Sequence, residues 1–159
     1  MTDFVFNISK GRVAEYCQRV DLNDPAGSVL VIILLASTGL EADATLIDMD
    51  TLAAVLAGAT NEATNTGYAR VELDDTEIGP FAPTDASDRF DCDIPDITWT
   101  GVANDGTGVI GALLVCYDPA SGAGTDADII PLTKQGFAVT PDGSDITAQI
   151  AATGFYRAS

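Results

Sequence analysis

Asp88–Thr100 reads DRFDCDIPDITWT, and after a glycine-bearing break Gly108–Tyr117 reads GVIGALLVCY. In the first stretch Arg89, Asp91 and Asp93 alternate with Phe90, Cys92 and Ile94, the period-2 pattern of a strand with one wet and one dry face. The second stretch is apolar almost throughout, as expected of a strand covered on both faces. Together they predict two adjacent strands of a β-rich core.

Outward from that pair the same signals recur. Val29–Ala36 (VLVIILLA) is the most apolar run; it is too short to span a bilayer and reads as a buried strand. Asp3–Ile8 places Phe4, Phe6 and Ile8 on one side of a short strand or extended arm. Val13, Tyr16, Cys17 and Val20 fall at i, i+3, i+4 and i+7, which predicts a helix over Lys10–Val20 with Ser9 as its cap. Leu46–Gly58 is the second expected helix, capped by Asp48 or Asp50 and presenting Leu52, Val55 and Leu56. Shorter strands are expected at Tyr68–Leu73, Ile129–Thr133, Gly136–Thr140, Asp145–Ala151 and Gly154–Arg157, separated by turn chemistry such as Pro141–Ser144. The fold expected is mainly β, a β-sandwich or small barrel with one or two short helices near Lys10–Val20 and Leu46–Gly58. The chain reads as a single domain, 1–159, with residues 1–8 a candidate docking arm.

A chain of 159 residues buries roughly 70% of the surface its unfolded form would expose, enough for a core without disulfides or metals. Cys17, Cys92 and Cys116 are odd in number and sit among apolar neighbours, so reduced, buried thiols are expected, with a Cys92–Cys116 bridge the alternative if the central strands adjoin. No signal peptide is read at the N-terminus, where Asp3 stands in place of a basic start.

The formal net charge is −17 and there is no histidine. That disfavours nucleic acid, which requires a basic footprint, and anionic membranes; it favours solubility at high copy number. The acidity is uneven. Residues 1–20 hold Lys10, Arg12 and Arg19 against Asp3 and Glu15, whereas residues 85–128 hold nine aspartates against Arg89 alone.

None of the residue patterns specifies a reaction. Gly106, Gly108 and Gly111 spell GxGxxG, but the run that follows is apolar and short before Pro119, so a strand entry is read rather than a dinucleotide turn. Asp88, Asp91, Asp93 and Asp96 invite a calcium loop. Counted from Asp91, however, the sixth and twelfth positions are Asp96 and Val102, where glycine and glutamate are required. Without histidine the usual serine and cysteine triads cannot be built. Trp99 and Tyr117 read as core aromatics. No enzyme, cofactor or metal is expected.

The order of segments resembles that of small virion proteins of tailed bacteriophages: FNISKGRVAEYCQRV, SVLVIILLAS, LEADATLIDMDTLAAVLAG, TNTGYARVEL, DRFDCDIPDITWT, GALLVCYD and the closing DIIPL to FYRAS pattern. The resemblance implies a structural role in the virion, first of all as a head decoration or cement protein, made in the host cytoplasm, bound to the major capsid protein on the outside of the head and self-associated, most simply as a trimer. A tail, baseplate or fibre component is the alternative, and a carbohydrate-binding module a more remote one. On this reading Phe4, Phe6, Lys10, Arg12 and Arg19 form the surface that docks on the shell.

Overall fold

The computed structural model describes residues 2–159. Val29–Ala36 is β2, buried along its whole length, and it pairs antiparallel with β6 (Ile110–Asp118) on one side and β3 (Val71–Leu73) on the other. β7 (Ile130–Val139) adds to β6, and β1 (Phe4–Val5) to β7, giving a five-stranded antiparallel sheet in the order β1-β7-β6-β2-β3. The protein is mainly β, as its patterning predicts.

The unbroken apolarity of β2 and β6 follows from two covered faces. Leu30, Ile32 and Leu34 pack in one cluster with Val13, Tyr16, Cys17 and Val20 of α1 (Val13–Asp21). Val29, Val31, Ile33 and Leu35 pack in the other, with Leu46 of α2 (Asp43–Leu46) and Leu52 and Val55 of α3 (Leu52–Leu56). Successive side chains of a strand point to opposite faces, so a sheet sandwiched between two layers needs apolar residues at every position. Truncating one of these, Ile33 to alanine for instance, costs about 2–5 kcal/mol.

On the α1 face the core is completed by two short ribbons. β4 (Phe90–Cys92) pairs with β9 (Tyr156–Ala158), and β5 (Ile97–Trp99) with β8 (Ile146–Ala148). This corrects the expectation that Asp88–Thr100 lies beside β6. The stretch breaks around Pro95, which lacks an N–H for a ladder, and its halves find different partners. The in-out alternation survives, with Cys92, Ile94, Ile97 and Trp99 buried and Asp93 and Thr98 exposed. The glycines before β6 form its entry turn. Gly106 has φ +54°, and a Cβ there would stand 2.5 Å from the Thr64 carbonyl oxygen, so only glycine fits.

Other boundaries move for reasons that lie far away in sequence. Ser9 does not cap α1: its hydroxyl is buried and donates to the Pro131 carbonyl, and the helix starts after Arg12. Of the helix expected over Leu46–Gly58 only α3, Leu52–Leu56, forms; α2 comes before it and ends at Leu46. Between them the Ile47 carbonyl accepts from Asn7 N–H, and the first donors of α3, Leu52 and Ala53, go to the carbonyls of Ile129 and Asp126. Thr51 caps α3 by accepting from Ala54 N–H, in place of Asp48 or Asp50. The strand expected from Tyr68 begins only at Val71, because the Tyr68 hydroxyl turns in to accept from Leu34 N–H and donate to Glu62. The two strands expected over 129–140 are one, β7.

All three cysteines are free and buried. Cys92 and Cys116 sit in the clusters on opposite faces of the sheet, which removes the Cys92–Cys116 bridge. Cys17 instead neighbours Cys92, and burial, then that second thiol, push its pKa well up. Among the described residues no helix is long and apolar enough to cross a membrane.

Candidate functional site

With 24 acidic groups against seven basic ones, where each cation goes decides what surface is left for a partner. Four are consumed inside the molecule. Lys134, on β7, is fully buried with its Nζ 2.9 Å from Asp43 Oδ1 and 5.1 Å from the centre of the Phe4 ring. Asp43 also accepts from the Thr2 N–H and hydroxyl. These bonds, the Thr2 N–H first and Lys134 next, hold its carboxyl down at about 2. Arg70 is forked between Glu62 and Asp126, each at 2.6 Å, joining the loop after β6 to the segment before β3. Its pKa is raised, by Glu62 first and Asp126 second. Arg157 and Arg89 both reach Asp91, at 2.6 and 2.9 Å, and Arg157 is the chief cause of the lowered Asp91 pKa.

Of the remaining three, Arg12 and Arg19 lie together. Arg12, Glu15, Arg19 and Leu22 stand at i, i+3, i+7 and i+10 around α1, on the face opposite its buried stripe. Glu15 is flanked by Arg12 at 3.3 Å and Arg19 at 2.9 Å, with side chains 44–48% exposed; both arginines lower its pKa, Arg12 the more. The Arg12 guanidinium also lies 4.8 Å above the Tyr16 ring, which packs on Tyr117 with ring centres 4.8 Å apart. Arg12 is thus held over a buried aromatic pair. Lys10, on the exposed turn before the helix, has no carboxylate within ion-pair distance among the described residues. Leu22, just past the helix, is 73% exposed. Exposed pairs of this kind add about 0–1 kcal/mol to stability, so the fold has little use for them.

The five residues expected to dock do not form one patch. Arg12 and Arg19 share the outer side of α1, and Lys10 is exposed on the turn before it. Phe6 is fully buried on the opposite side of the sheet, and half-buried Phe4 packs against the same cluster, its ring 5.1 Å from that of Phe6. Residues 2–8 are not a free arm either. Phe4 and Val5 pair with Lys134 and Thr133, Phe6 N–H donates to Leu132, and Asp3 accepts from Gly136 N–H. Residue 1 lies outside the described residues. Leu22 and Glu15 were missed by sequence reasoning although the signal was present: Leu22 is the apolar residue that falls off the stripe Val13, Tyr16, Cys17, Val20.

Two of the four aspartates of Asp88–Thr100 act in structure, and Asp88 and Asp93 are exposed. Asp91 ties β9 to β4, and Asp96 accepts from Ile150 N–H. Trp99 and Tyr117 are buried, and the Trp99 indole N–H donates to the Ala69 carbonyl. Among the described residues no three acidic or thiol side chains converge as metal ligands would. No protein-family model matches the chain, and comparison with curated proteins and with solved structures returned no significant match.

Proposed function

We propose that this chain is a structural, non-catalytic component of a tailed-phage virion, a decoration protein that binds the outer surface of the head through the exposed face of α1. One observation carries the docking surface. Of the three cations not needed inside the fold, Arg12 and Arg19 lie on one helix face, next to an exposed leucine, and Lys10 stands on the turn that leads into it, on a molecule of net charge −17. Such a face suits an acidic patch with an apolar centre on the major capsid protein, where rim charges steer approach and one buried side chain anchors it. The segment order supports the virion reading, and strong acidity suits a protein crowded in many copies without aggregating. Repetition of a weak contact around a three-fold axis raises its overall affinity, which is what a trimer would supply.

Purified particles test this directly. A decoration protein is present in fixed proportion to the major capsid protein and is released from heads together with a loss of their heat resistance. A few copies confined to one vertex would make it a tail component, and absence from particles would overturn the virion reading.

A further inference from the structure

β7 is ten residues long, yet β1 pairs only with Thr133 and Lys134. Where β1 covers it, from Pro131 to Lys134, the strand is buried; beyond, Gly136 and Ala138 are exposed and Gln135, Phe137 and Val139 are half-buried. Among the described residues no strand flanks this side of residues 135–139. An uncovered sheet edge is a template for another strand. Here one of its donors, Gly136 N–H, is met by the Asp3 carboxylate at 2.8 Å, a side-chain oxygen standing in for the carbonyl of a neighbouring strand.

A cavity of about 340 Å³ opens against this edge, walled by Leu113, Phe137, Ile150 and Phe155, with Asp3 and Gln135 as polar lining. A second hollow of about 180 Å³ shares Asp3, Gln135 and Phe155 with it, so the groove continues along the strand. Gln135 Nε2 donates to the Thr133 hydroxyl at 2.8 Å, while its Oε1 is buried without a hydrogen-bond partner. Buried acceptors are rarely left unmet. The groove therefore offers the Asp3 carboxylate and no free cation: Lys134 is engaged by Asp43, and Arg157 by Asp91.

We propose that the edge Gln135–Val139 and its groove accept an extended segment of a partner protein by strand addition, with apolar side chains of that segment entering the groove and lysine or arginine meeting Asp3. Main-chain bonds supply affinity in this mode, and the pockets beside the strand supply selection. A second copy is the poorer occupant of this edge, since edge-to-edge pairing would bring together two Asp3 carboxylates with no free cation between them. The proposal stands independently of the capsid reading.

The test uses the whole chain and an eight-residue peptide alternating valine with lysine and threonine. Its controls are the same peptide with glutamate for lysine and one of equal charge interrupted by proline. Amide hydrogen exchange and chemical shifts are followed by NMR at about physiological ionic strength, where long-range attraction is screened. The lysine peptide is expected to shift the amides of residues 135–139 and slow their exchange, with neither control doing so. F155A is expected to weaken binding about tenfold and D3N about threefold, D3N with an unchanged melting temperature. No response at residues 135–139 at millimolar peptide, or an equal response to the proline-interrupted peptide, would overturn it.

Discussion

On the face of the sheet covered by α2 and α3, Lys134 is sealed from water and held by Asp43 and the Phe4 ring; on the face covered by α1, Arg12 and Arg19 share one carboxylate in the open. Both arrangements place a cation near an acid and an aromatic ring, and their consequences are opposite. A buried charge depends on its partner, because losing the partner leaves the desolvation cost unpaid. An exposed pair is screened and nearly neutral to the fold. The first therefore acts as a fastener for the N-terminal strand, and the second is the one on which the proposed docking rests.

The largest effect expected from breaking this contrast is at Asp43. D43A leaves Lys134 buried and unpaired and is expected to cost about 3–5 kcal/mol in urea unfolding, whereas K134M/D43A, which removes both charges, returns to within about 1–2 kcal/mol of wild type. A small loss in D43A alone would mean that Lys134 escapes to water. F6A comes next, at about 3–5 kcal/mol, with F4A milder because Phe4 is only half-buried; this separates a core role from a docking role for residues 2–8.

Asp43, held by the Thr2 N–H first and by Lys134 next, also sets an acid response. Asp43 falls from an ordinary 3.8 to about 2 in the folded protein. A depressed carboxyl contributes stability that is fully present above its unfolded pKa and is lost as pH falls through the folded one. Wild type is accordingly expected to lose more stability between pH 4 and pH 2 than K134M/D43A, as read from thermal midpoints across that range; parallel curves would show that Asp43 is not the source.

Much of the fold was legible because continuous apolar runs mean burial on both faces. β2 and β6 follow from that alone, and the inner stripe of α1 from the i, i+3, i+4, i+7 spacing of Val13, Tyr16, Cys17 and Val20. The ribbons β4–β9 and β5–β8 were not, since Cys92 meets Tyr156 and Trp99 meets Ile146 across most of the C-terminal half, and short strands carry no register signal of their own. Nor was the break before α3, which is imposed by the Asn7 N–H and the Ile129 and Asp126 carbonyls. At the candidate site the cations of α1 could be placed from periodicity. Phe6 could not, because an apolar side chain in a strand looks the same whether it fills a core or an interface. Lys134 was hidden for the converse reason: its burial depends on Asp43, in a separate element that the sequence gives no means of bringing near.

The binding of K10E/R12E/R19E to heads stripped of the protein tests the docking face most directly. The variant is expected to unfold within about 1 kcal/mol of wild type, as exposed substitutions do, and to lose its place on the shell. Undiminished binding by the folded variant would contradict docking through α1.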